Sequence, residues 1–182
     1  MNIWLNIAAF QVGWFACVVG AAHDMPWAGT AVALAVVAIH LYLAPQARVQ
    51  ARLIAFAAVF GFLADTVLIR GGWLEFSSGI LVPDTAPHWI VALWMIFATT
   101  LNVSLTWLKN RWLLAVVFGA AGGPLAYYAG SELGAVTLID PVSALFAVGV
   151  AWALAMPLLL LVSERLNGTL TPKKIPEAVD YV

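Results

Sequence analysis

The stretch from Leu53 to Arg70 reads LIAFAAVFGFLADTVLIR, with one acidic residue, Asp65, inside an otherwise apolar run. A helix rising 1.5 Å per residue needs about 18 to 20 such residues to cross a bilayer. A carboxylate at that depth costs about 2.5 to 3.5 kcal/mol on the insertion scale, so it must face a partner or a wet cavity. Asp65 is the only acidic side chain inside any such run of the chain. It is read either as a proton or cation site, as a carboxylate orienting a polar head, or as the partner of a snorkelling Arg70 five residues later.

The remaining sequence admits few alternatives to a membrane protein. Of 182 residues, 64% are hydrophobic and 9% charged, whereas a soluble domain is about one quarter charged. The net charge of −1 excludes the basic face that nucleic acid requires. The lone cysteine, Cys17, excludes an internal disulfide framework and reads as a small packing residue.

Six apolar runs are expected to cross: Ile3–Ala22, Trp27–Ala44, Leu53–Arg70, Trp89–Leu108, Trp112–Ser131 and Pro141–Val162. The predicted fold is an all-α, polytopic six-helix bundle over residues 1–163, followed by a polar cytoplasmic tail, 164–182. The first run has no Lys or Arg ahead of it, which favours a retained helix over a cleaved signal. The segment Gln46 to Arg52 is expected in water or among headgroups. Residues Gly71 to His88 are broken by Gly, Ser and Pro and carry Trp73, Phe76, Ile80 and Leu81, so they are expected to lie at the interface, packed over the bundle. Pro124 should kink the fifth run. Gly119 and Gly123, one turn apart, allow a close helix approach, within the chain or in a homo-oligomer.

Basic residues set the orientation. Arg48, Arg52, Lys109, Arg111, Arg165, Lys173 and Lys174 fall on the side of the amino terminus, with Arg70 alone opposite, which predicts both termini in the cytoplasm. Asn6, His40, Asn102 and Ser104 then share the inner half, Gln11 lies near the middle, and Asp65 lies about 8 Å below Arg70 in the outer half. The inner group reads either as a headgroup cradle or proton relay, or as interhelical hydrogen bonds worth about 0.6 kcal/mol each. His23, Asp24, Asp84 and His88 gather outside without a metal-ligand spacing, and the three histidines supply no facing pair for haem. No metal or other cofactor is expected. No nucleophile or phosphate-loop motif is present, which sets enzymatic activity behind binding.

The segments FQVGWFACVVGAAH (Phe10 to His23), LWMIFATTLNVSLTWL (Leu93 to Leu108) and FGAAGGPLAYYAG (Phe118 to Gly130), with Ala64-Asp65 between the first and second, resemble a family of small bacterial inner-membrane proteins catalogued as a domain of unknown function. The resemblance extends to about Leu161 and covers Trp14, Asp65, Trp94, Phe97, Thr100, Asn102, Gly123, Pro124 and Tyr127. Members of that family tend to be encoded near cyclopropane-fatty-acid synthase-like enzymes, which implies a link to membrane-lipid modification.

The expected function is therefore binding or moving a lipid or other hydrophobic molecule in the bacterial inner membrane. Asp65, Asn102, His40, Asn6, Gln11, Trp94 and Tyr127 are the candidate ligand contacts. Two further readings stand beside it: a scaffold subunit for a peripheral lipid-modifying enzyme, and an intramembrane acyl-chain enzyme using Asp65 or His40 in acid-base roles.

Overall fold

The computed structural model describes residues 2–170. Most of the expected tail, with Lys173 and Lys174, lies outside the described residues. These contain six α-helices: α1 (Ile3–Ala22), α2 (Pro26–Leu43), α3 (Ala47–Arg70), α4 (His88–Leu101), α5 (Trp112–Glu132) and α6 (Pro141–Arg165). All but α4 are long and apolar enough to cross a membrane. The protein is an integral, multi-pass membrane protein.

Helix starts follow their local chemistry. Asn2 caps α1 through Trp4 N–H, Asp140 caps α6 through Ser143 N–H, and α2 and α6 carry proline in the first turn. Short connections make α1 and α2 neighbours, and α5 and α6 likewise. Gly29 of α2 permits the first of these approaches, because a Cβ there would meet the backbone of Ala16 and Cys17. At the second, Gly119 and Gly123 lie against Trp152 of α6. Within the chain, the small-residue face of α5 is thus occupied by α6.

The short helix is the central one. α4 packs against α1, α2, α3 and α6, and its buried residues include Trp89, Trp94, Ile96, Thr99, Thr100 and Leu101. The fourth apolar run was expected to be helical to Leu108, but the α-helix stops at Leu101. A turn and a 3-10 segment, Thr106–Leu108, complete the run. The density of hydroxyl and amide side chains explains the stop. Thr99 and Thr100 donate back to Ile96 O and Phe97 O at 2.6 Å, and both Val103 N–H and Leu105 N–H turn to Thr100 O.

Two boundaries also differ from expectation. α3 begins at Ala47, so Arg48 and Arg52 ride on its first turns, and Gln50 is buried rather than in water. α6 continues to Arg165 with Ser163 buried. The chain after it docks on the α2–α3 turn: Gln46 N–H donates to Gly168 O at 2.9 Å and Gln46 Nε2 to Leu170 O at 2.8 Å.

At the opposite end, the Gly71–Pro87 connection folds over the bundle. β1 (Leu74–Glu75) pairs antiparallel with β2 (Thr137–Leu138), in register Leu74 to Leu138 and Glu75 to Thr137. Leu74 and Phe76 are buried, and Phe76 meets Trp89 edge-on, whereas Ile80 and Leu81 remain exposed. Ser78 donates to Ala21 O at 2.9 Å and accepts through its carbonyl from Trp89 Nε1 at 3.1 Å.

Candidate functional site

Asp65 is 1% exposed, and three helices converge on it. Its Oδ2 accepts from Trp94 Nε1 of α4 at 2.7 Å, and its Oδ1 accepts from the Tyr127 hydroxyl of α5. Arg70 is not its partner, because Arg70 Nε donates to the Asp84 carbonyl at 3.2 Å. Of the readings drawn from the sequence, the local ion pair is thereby excluded. A buried carboxylate holding an indole and a phenol fixes both rings in orientation, since each has only one hydroxyl or N–H to direct.

Gly61, one helical turn before Asp65, makes the indole's position feasible. A Cβ at Gly61 would fall onto the Trp94 ring. Trp94 stacks on Trp152 of α6 with centroids 4.5 Å apart and planes 13° apart. Phe97 meets Trp152 edge-on at 5.2 Å, and Phe10 meets Phe97 at 6.2 Å. The result is a continuous aromatic wall running from α1 through α4 to α6.

In front of that wall is a groove. α5 packs along α6 rather than against α1 or α4, which leaves a cavity of about 120 Å³ bordered by Phe10, Trp14, Trp94, Phe97, Gly122 and Trp152. A second cavity of about 50 Å³ continues from it past Ala126 and Tyr127 toward Phe76 and Val136, and the two share Trp14, Leu93 and Ala126. Nearly every surface is hydrocarbon or aromatic face. The polar edges of Trp94 and Tyr127 are turned back to Asp65, so the groove presents their apolar sides.

The polar residues expected in the inner half divide into separate groups. Asn6 Nδ2 donates to Thr99 O at 3.2 Å and its Oδ1 accepts from Ser104 at 2.7 Å. Asn102 Nδ2 donates to Leu166 O at 3.0 Å and Gln50 Oε1 at 3.3 Å, and its Oδ1 accepts from Lys109 Nζ at 2.6 Å. Burial lowers the Lys109 pKa, and the nearby Glu164 carboxylate partly opposes the shift. His40 is buried apart from both groups, and Gln11 sits on the exposed face of α1.

At the end of the bundle covered by the Gly71–Pro87 connection, the Thr30 hydroxyl donates to Pro26 O at 3.0 Å and lies 2.8 Å from His88 Nδ1. With its single proton committed, Thr30 accepts from His88 Nδ1–H. Trp27 stacks on the same imidazole at 3.9 Å. His88 thus staples α2 to α4.

The family described as "Protein of unknown function (DUF2878)" matches residues 3–158. The chain belongs to this family. No curated protein and no solved structure matches it.

In this DUF2878 chain, the candidates taken from the sequence fall into three places. Asp65, Trp94 and Tyr127 come together at the groove, Asn6 and Asn102 join helices near the end opposite the β1–β2 pair, and His40 and Gln11 join neither. Sequence reasoning missed Gly61 and Trp152. A tryptophan in the middle of an apolar run, away from the interfacial belt where it is favoured, was the available signal for Trp152 and equally for Trp94.

Asn102 is a structural hub by this geometry, and substitution tests it. Asn102→Leu leaves the Lys109 ammonium without its carbonyl acceptor and should cost about 1–3 kcal/mol. Thermal unfolding in nanodiscs should show a lower midpoint, and Lys109 should label faster with an amine-directed reagent. Unchanged labelling contradicts the role of Asn102 as the partner of Lys109.

Proposed function

We propose that this protein is a six-crossing bundle of the bacterial inner membrane, with both termini toward the cytoplasm, that takes the hydrocarbon part of a lipid or similar hydrophobic molecule into the groove between α1, α4 and α5. In this reading α4 and the 3-10 segment after it form one crossing. The observation that carries the proposal is the groove itself: a cavity with aromatic walls, bordered by Phe10, Trp14, Trp94 and Phe97, beside a helix whose main packing partner is α6 rather than α1 or α4.

The sequence and the site support it independently. Rigid aromatic faces give large apolar contact area at little entropic cost, and Gly122 leaves open space where a side chain would intrude. The buried carboxylate contributes by holding Trp94 and Tyr127, so Asp65 is a positioning residue in this reading. Basic residues at one end of the bundle set the direction of insertion.

Ala126 borders both cavities, which makes it the place to block them. Protein extracted gently and examined by native mass spectrometry should carry lipid, and Ala126→Trp should lose it while the thermal midpoint stays close to that of the wild type. Retention of lipid by a folded Ala126→Trp variant rules out the groove as the binding site. Reporter fusions after Lys109 and after Arg165 should both read cytoplasmic; a split result overturns the topology.

A further inference from the structure

The two cavities of the groove occupy only part of the length of the bundle. Along α5 their lining starts at Phe118 and ends at Gly130, a span of about 18 Å at the rise of an α-helix. At one extreme the groove stops against Phe97 and against Trp152, halfway along α6; at the other it reaches Phe76, next to β1, and Val136, next to β2. Neither cavity is lined by the 3-10 segment or by the first turn of α5. A polar head placed against Phe97 and Trp152 would be buried among apolar groups, which is costly. A hydrocarbon chain in the groove therefore points its free end toward Trp152 and its head toward the end that carries the β1–β2 pair.

The charges at that end discriminate among heads. Asp24, Glu75, Asp84, Glu132 and Asp140 all lie on the connections and helix ends there. Glu75 immediately precedes Phe76, and Glu132 follows Gly130 by two residues, so exposed carboxylates flank the end of the second cavity on two sides. Arg70 is on α3, which lines neither cavity, and its Nε is bound to the Asp84 carbonyl. The other described basic residues, Arg48, Arg52, Lys109, Arg111 and Arg165, lie at the opposite end of the bundle, beyond a screening length of about 10 Å in 0.1 M salt. A net negative head at the β1–β2 end meets like charge, whereas an ammonium meets opposite charge.

We propose that the groove takes its lipid from the leaflet at the β1–β2 end, with one chain lying along α5 toward Trp152, and that the lipid is a phospholipid whose head carries an ammonium group and no net charge. The ammonium lies near Glu75 and Glu132. The head leaves the groove between α1 and α5, because α5 packs along α6 rather than against α1. This inference rests on the groove reading and adds to it the leaflet, the direction of the chain and the chemistry of the head.

The test places the full chain in nanodiscs holding equal amounts of phosphatidylethanolamine and phosphatidylglycerol with the same acyl chains, followed by gentle extraction and native mass spectrometry. At low salt the retained lipid should favour phosphatidylethanolamine by about fivefold, the factor for one pair of unit charges about 4 Å apart in water. Added salt should shrink the preference. Both glutamates are exposed, so Glu75→Gln combined with Glu132→Gln should bring the ratio close to one without loss of bound lipid. In a second arm, phosphatidylethanolamine carries a photoreactive diazirine either at the chain end or beside the glycerol. The chain-end probe should label residues 118–122, and the glycerol-side probe residues 130–136. Labelling in the reverse order, equal retention of the two lipids at low salt, or a preference that survives the double variant overturns this inference while leaving the groove in place. Labelling that never falls in the groove, with lipid still bound to folded Ala126→Trp protein, removes the groove reading and this one with it.

Discussion

Replacing Asp65 with leucine is expected to lower the stability of the bundle by about 2–5 kcal/mol, because it strands two buried donors at once, each costing about 1–3 kcal/mol. Trp94 Nε1 and the Tyr127 hydroxyl both end on this carboxylate, and both residues are buried. Asp65→Asn should cost less. Its carbonyl can accept from Trp94, which is only a donor, while its amide faces Tyr127, whose oxygen can accept instead. The decisive comparison is the double variant. Adding Tyr127→Phe to Asp65→Leu removes one stranded donor and should recover part of the lost stability, although Tyr127→Phe alone in the wild type should lower it. Thermal unfolding of the four proteins in nanodiscs measures this coupling. If the two changes simply add, Asp65 is not holding the phenol.

The position of Asp65 was legible because hydropathy and one charge suffice to find it. Its partners were not. Depth along each run placed Asp65 in the outer half and His40 in the inner half, but depth does not say which helices touch. Which helices touch depends on faces, and runs that are apolar all round give no periodicity from which a face can be read. Trp94 and Tyr127 were therefore named through family resemblance, not as a pair sharing one carboxylate. The same limit explains the inner end. Asn6, Asn102 and Ser104 were grouped by depth, yet Asn6 joins Ser104 and Asn102 joins Gln50 and Lys109.

The misplaced boundaries have a local cause. The run Thr99 to Thr106 remains hydrophobic enough on average to read as continuing, but its hydroxyls satisfy backbone carbonyls and end the α-helix at Leu101. Gln46 to Arg52 reads as a polar loop because two arginines flank its middle. Those arginines ride on the first turns of a helix that buries Gln50 between them. Composition reports what a segment can be solvated by, whereas the boundary is fixed by which groups satisfy its backbone.

The same reasoning makes Gly61 the most sensitive small residue near the groove. A Cβ at this position would overlap the five-membered part of the Trp94 indole, and Trp94 has little room to retreat, being stacked on Trp152 and bound to Asp65. Overpacking in a filled core costs about 1–3 kcal/mol, and occasionally more. Gly61→Leu should therefore destabilise at least as strongly as the upper end of that range, with Gly61→Ala toward the lower end. It should also do something a general packing defect would not. Driving the indole from Asp65 frees the carboxylate, so Asp65→Asn should cost less in the Gly61→Leu background than in the wild type. The ring displaced into the groove should also reduce lipid retained in native mass spectrometry. Full lipid retention in a folded Gly61→Leu protein means that Trp94 does not wall the binding site.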